Sequence, residues 1–177
     1  SPLSRIGTGF YKYYLMDTLT VAGKPCVDLT FVPFNSESFG FTGHLYVMLD
    51  STYFVKRAVM NFPQKINLNF VDYMKIEQNF DRAEDGTRQL LNESITTEFK
   101  LVDNSDGIYA KRDVYYRNYQ YEPDDKALQA FRKPEKVIEE TSASGYSEAY
   151  WDANRQVEVS KKETSVDKMM AQLRSYP

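Results

Sequence analysis

One histidine and one cysteine bound the chemistry open to this chain. His44 sits inside an alternating apolar–polar run, so a metal or acid–base site built on it would need carboxylates, or Cys26, from elsewhere. Cys26 has no histidine near it in sequence to hold it as a thiolate. For both residues, a packed strand position outweighs a catalytic one. Ser165-Val166-Asp167-Lys168 fits the Ser-x-x-Lys acylation motif, but the partner motifs Ser-Asp-Asn and Lys-Thr-Gly are absent from the sequence. Gly145-Tyr146-Ser147 lacks a strand feeding a nucleophile elbow. Asp103-Asn104-Ser105-Asp106-Gly107 opens like a calcium loop, yet Val114 stands where the bidentate glutamate belongs, so a turn is the better reading. Glu77, Glu93 and Glu98 could pair for glycoside hydrolysis, with a separation that spacing alone leaves open. No catalytic set, metal site or cofactor is expected.

A different chemistry, apolar binding, fits better. Phe41, Leu45, Val47, Met60 and Met74 would line the concave side of a curled sheet and could hold a lipid chain, methionines making the lining adaptable. Core filling competes with that reading. The tyrosine-rich run Tyr109–Tyr121 could offer a carbohydrate platform; a half-buried face with hydroxyls in water is the plainer account.

These residues need strands to position them, and composition supplies strand formers. Of 177 residues, 15% are aromatic, with 14 Tyr and 11 Phe, and flat rings suit a pleated surface. Apolar residues at 42% and charged residues at 27% describe a globular chain large enough for one sizeable core. A net charge of −3 gives no electrostatic reason to expect nucleic acid. A single cysteine excludes an internal disulfide. No apolar run is long enough to span a membrane as a helix. The opening Ser1-Pro2-Leu3-Ser4-Arg5 shows no signal peptide and runs almost directly into a strand, so a fragment of a longer polypeptide is expected.

The stretch from Gly40 to Phe62 reads as a hairpin about Asp50-Ser51-Thr52. Strict alternation places Phe41, Leu45, Val47 and Leu49 on one face, with Gly43 marking a bulge or close backbone approach. It places Phe54, Ala58, Met60 and Phe62 together, interrupted by Lys56, against Tyr53, Val55, Arg57 and Val59. Before the hairpin, Phe10–Val21 and Cys26–Phe34 are strands joined by Ala22-Gly23-Lys24-Pro25, and Tyr11, Tyr13, Leu15, Leu19 and Val21 share a face. After it come strands from Phe70 to Phe80, Leu90 to Val102 and Ile108 to Tyr121, with Asp85-Gly86 the best turn signal. The short connections exclude parallel pairing, so a twisted antiparallel sheet or half-barrel is expected. Beyond Tyr121 the pattern changes: a short helix follows Pro123, helical turns hold Trp151, and Ser160–Glu163 caps a final helix with Val166, Met169, Met170 and Leu173 on one stripe. The expected division is 1–121 and 122–177, the second part packing on the sheet or leading to a further domain. If its segment is helical, Trp151 can stack with Arg155 as a clasp for the final helix.

The order Phe10-Tyr11-Lys12-Tyr13-Tyr14-Leu15-Met16-Asp17-Thr18, Cys26 to Pro33, and Phe41-Thr42-Gly43-His44-Leu45-Tyr46-Val47 resembles a family of uncharacterised Bacteroidota envelope proteins. Tyr150-Trp151-Asp152-Ala153-Asn154-Arg155 with Val159-Ser160 and Glu163 looks like the same family's C-terminal segment. The resemblance implies a carboxypeptidase-regulatory-like β-domain before this region, an outer-membrane β-barrel after it, and a periplasmic or outer-membrane-associated location. It also implies a curved half-barrel like that of lipoprotein carriers, although the carriers' N-terminal helix has no counterpart here. The expected role is a non-enzymatic envelope module binding an apolar small molecule, a lipid or a partner protein; a spacer and a hydrolase are the alternatives.

Overall fold

The computed structural model describes residues 1–63, 70–100, 107–119, 121, 145–156, 158, 159 and 161–175. Seven strands follow one another: β1 Tyr11–Val21, β2 Lys24–Pro33, β3 Thr42–Met48, β4 Val55–Asn61, β5 Val71–Arg82, β6 Arg88–Phe99 and β7 Ile108–Tyr115. Each pairs antiparallel with its sequence neighbours, in the order β1-β2-β3-β4-β5-β6-β7. The sheet is therefore an open meander, as the short connections required.

Turn chemistry accounts for the reversals at one end. Ala22 and Gly23 take positive φ (47° and 75°), the two-residue turn that matches strand twist. Lys24 and Pro25, expected in that turn, instead open β2, where Pro25 lies opposite Thr20 and its carbonyl accepts from Leu49 N at 3.0 Å. The Asp50 carboxylate accepts from Thr52 N at 2.9 Å, and Asp85 accepts from Thr87 N at 2.8 Å ahead of β6. Gly86 sits at φ 85° beside it.

One face holds the core. Phe31 and Leu45 are completely or almost completely buried, with Tyr11 and Ala58 beside them on adjacent strands. Tyr11 meets Phe31 edge-on, centroids 5.6 Å apart. Gly43 explains how β3 and β4 come so close: a Cβ there would lie 1.9 Å from the Val59 carbonyl oxygen. The close backbone approach expected of that glycine is what the sheet uses.

Register slips correct the strict alternation, two of them in the first four strands and two more between β5 and β6. In β1 the register slips between Leu15 and Thr18, so Thr18 faces Val27 while Leu19 lies opposite Cys26 and leaves the face of Tyr13. In β4 Val55 lies opposite Val47 and Arg57 opposite Tyr46, with Lys56 the extra residue. Val55 therefore joins the Val47 face rather than that of Arg57. β7 stops at Tyr115, short of the expected Tyr121, and Asn118 takes φ 53° soon after.

The chain divides into compact units Ser1–Tyr119 and Gln120–Pro177. The second contains α1 Glu148–Asn154, N-capped by Ser147, whose Oγ accepts from Tyr150 N at 3.2 Å, and α2 Lys161–Ser175. The helix expected after Pro123, the turn at 103–106 and Ser160 of the capping box lie outside the described residues.

Candidate functional site

The apolar face is assembled by the strand register. Leu29, Leu45 and Ala58 lie in one cross-strand row, and Met60, Ile76 and Ile95 in another. Of the five residues expected to bind a ligand, Leu45 is enclosed in the core, and Phe41, Val47 and Met60 pack around it, half-buried. Phe41 also meets Phe62, centroids 4.5 Å apart. Met74 is on the same face of β5, two residues from Ile76, and its carbonyl accepts from Phe62 N at 3.2 Å. The face thus has two characters. Across β1–β4 it holds the buried residues Tyr11, Phe31, Leu45 and Ala58, with Leu15 exposed at its edge. Across β4–β6 the row Met60, Ile76, Ile95 stays only half-buried.

The opposite face is polar and interlocked. His44 Nδ1 lies 2.9 Å and 3.0 Å from the two Asp28 carboxylate oxygens and 3.1 Å from Thr30 Oγ1. The His44 ring lies parallel to Tyr46 at 6.3 Å, and the Arg57 guanidinium sits 5.7 Å from the Tyr46 ring centroid. Arg57 Nη2 donates to Glu77 at 3.0 Å, and Lys75 pairs with the same carboxylate. The Lys75 hydrogen bond, with Arg57 alongside, holds the Glu77 carboxyl below the usual glutamate range despite partial burial. Burial raises Asp113 but is outweighed by hydrogen bonds from Lys111 and Ser94, so that carboxyl is also lowered. The tyrosines Tyr109 and Tyr115 of β7 lie opposite Glu98 and Asn92, on this polar side.

Asp28 orients the His44 imidazole as a general base is oriented, but a base needs a nucleophile within hydrogen-bond reach. Cys26 does not supply it: its side chain is fully buried, and burial pushes the thiol up. Among the described residues, no cluster of three His, Cys, Asp or Glu side chains could hold a metal ion. The carboxylates proposed for glycoside chemistry are divided between faces. Glu77 lies opposite Val59 and Ser94 on the polar side, whereas Glu93 lies opposite Gln78 and Val114 and accepts from Gln78 Nε2 at 2.6 Å. The Ser165 hydroxyl donates to the Lys161 carbonyl of its own helix at 2.9 Å, and both Ser165 and Lys168 are exposed. Trp151 packs edge-on against Tyr146 and Tyr150, at 5.8 Å and 5.5 Å, while Arg155 lies 3.9 Å from Asp152.

Among the pairs that sequence reasoning missed, one buries its lysine. Lys56, seen only as an interruption of an apolar run, is buried and donates to Asp81 at 2.7 Å. A charge inside an alternating strand was the signal, because a buried ammonium requires a carboxylate partner.

A protein-family model, described as a family of unknown function (DUF5686), matches residues 1–119, which include all seven strands. Neither the curated proteins nor the solved structures give a match.

Proposed function

We propose that this chain, which belongs to the DUF5686 family of unknown function, is a non-enzymatic cell-envelope module that holds an apolar ligand against one face of its sheet. The observation that carries the reading is the half-buried row Met60, Ile76 and Ile95, continuous through Met60 with the buried core of Phe31, Leu45 and Ala58. A hydrocarbon chain laid along that row would remove apolar surface from water at about 25 cal/mol per Å². Met60 and Met74 can change rotamer to fit chains of different shape. Envelope placement beside an outer-membrane barrel rests on the resemblance of the Phe10–Thr18, Cys26–Pro33 and Phe41–Val47 motifs.

Native mass spectrometry of freshly purified protein tests this reading. A retained lipid-sized mass, lost on organic extraction, is the expected result. A bare polypeptide that also takes up no added lipid would reject it. One specific observation favours the spacer alternative: Leu45, expected to line the ligand site, is closed inside the core. A protein without ligand affinity and with unaltered stability after apolar-to-polar change along the Met60 row would fit that reading.

A further inference from the structure

Two arginines stand side by side where β5 turns into β6. Arg82 and Arg88 are cross-strand partners in the sheet register. Ala83 N donates to the Thr87 carbonyl at 2.9 Å. The next pair away from the turn, Arg82 with Arg88, is therefore a non-hydrogen-bonded one, the kind that holds side chains closest. Like charges directly opposite each other repel. The register slip that skips Leu91 sets Phe80 opposite Leu90, and by alternation both arginines share the face of Ile76 and Ile95.

Aromatic rings hold the two guanidinium groups. Arg82 Cζ lies 4.8 Å and Arg88 Cζ 5.7 Å from the Phe54 ring centroid, and Arg88 Cζ is 4.3 Å from that of Phe80. Phe54 is buried and its carbonyl accepts from Met48 N at 2.8 Å, so the ring under the arginines is fixed. Both arginines stay open to water, and desolvation against the rings holds Arg88 below the usual arginine range. The neighbouring carboxylates have other partners. Asp81 pairs with Lys56, Asp85 accepts from Thr87 N and Oγ1, and Glu93 accepts from Gln78. Thr52 hydrogen bonds, with the Arg82 charge at longer range, hold Asp50 below the usual aspartate range. Glu84, in the turn itself, pairs with neither arginine. The connections at this end of the sheet, 22–23, 49–54 and 83–87, are all described. Among the described residues, neither guanidinium has an ion-pair or hydrogen-bond partner.

We propose that Arg82 and Arg88 form a binding site for an oxyanion, a phosphate or carboxylate group. Adjacent guanidinium forks offer N–H donors that match such a group bidentately. Its negative charge offsets the repulsion that the register imposes. The site shares a face with the Met60, Ile76, Ile95 row, six residues along β5 from Ile76, or roughly 20 Å. Phe80 and Leu90 lie between, and the Gln78–Glu93 pair crosses the path. Two sources present the same chemistry: a free phosphate, or the headgroup of an acyl chain lying on that row. The second source rests on the function proposed above; the anion site itself does not.

The test is an NMR titration of the whole ¹⁵N-labelled chain, reading the backbone amides of residues 82–88. Inorganic phosphate should shift these signals saturably, and sodium chloride at equal ionic strength should not. Arg82→Gln with Arg88→Gln should weaken phosphate binding at least ~10-fold, and Lys12→Gln on β1 should leave it unchanged. Both arginines are exposed, and far-UV circular dichroism confirms the fold of each variant. Dodecyl phosphate, below its micelle concentration, and dodecanol separate the two sources. An acyl headgroup is identified if dodecyl phosphate binds at least ~10-fold tighter than inorganic phosphate and loses affinity in both the arginine variant and Ile76→Thr with Ile95→Thr. Equal affinities for the two phosphates identify a free anion. Dodecanol binding without any response to phosphate would leave the apolar row standing and overturn the arginine site. So would shifts that chloride reproduces, or a phosphate affinity untouched by the double arginine change.

Discussion

Alanine at Gly43 should unfold the sheet from its centre. The added Cβ would stand 1.9 Å from the Val59 carbonyl oxygen, 2.9 Å from its carbon and 3.1 Å from Met60 Cα. Restoring an ordinary 3.4 Å contact requires about 1.5 Å of separation between β3 and β4. All three obstacles are backbone atoms, so no rotamer change relieves them. The same two strands carry Leu45 opposite Ala58, next to the fully buried Phe31, and a shift there loosens the core. Overpacking of this kind costs ~1–3 kcal/mol, and lost core contacts bring the expected total to about 2–4 kcal/mol. The lower entropy of an unfolded chain with Ala returns only ~0.4–1 kcal/mol and does not change the sign. Urea unfolding followed by circular dichroism measures the difference. Gly9→Ala is the control, because nothing lies within 4 Å of a Cβ built there. If the two variants share one unfolding midpoint, the steric argument is wrong.

Asp81→Asn should destabilise by ~1–2 kcal/mol, discounted because Asp81 is half in water, and adding Lys56→Met should recover most of the loss. Additive effects of the two changes would deny the coupling. Leu45→Ala should cost ~2–4 kcal/mol and Met60→Ala clearly less, since only Leu45 is enclosed; equal unfolding midpoints would contradict the division of the apolar face. Glu77, Asp81 and Asp113 are all held below ordinary carboxylate values in the folded chain. Their contribution is complete above the unfolded carboxylate range, roughly above pH 5, and is lost as pH falls through the lowered folded values. Stability should therefore decline on acidification, and Glu77→Gln should flatten part of that decline. A urea midpoint that rises below pH 4 would reverse the sign.

The strand order was legible because each run of rings and β-branched residues ends in a turn whose residues dictate reversal, as at Asp85-Gly86. Gly43 was legible for the same kind of reason: a glycine amid large residues marks a place where backbone needs room. Side-chain direction was less so. Alternation carries no mark of an inserted residue, so one slip at Lys56 moved Val55 to the other face, and one before Thr18 moved Leu19. The pairing of His44 with Asp28 and Thr30 depends on the β2–β3 register, which loop length alone does not set. The sequence also placed Met60 and Met74 on one face, yet showed no sign that Leu45 would be sealed while Met60 stayed half-open. That distinction comes from neighbours across strands.

Titration with a fluorescent long-chain fatty acid puts the binding role of the Met60, Ile76, Ile95 row to its most direct test. Saturable binding is predicted, weakened about tenfold, or ~1.4 kcal/mol, when Ile76 and Ile95 are both changed to Thr. Binding that never saturates, or an affinity untouched by those two changes, would contradict it.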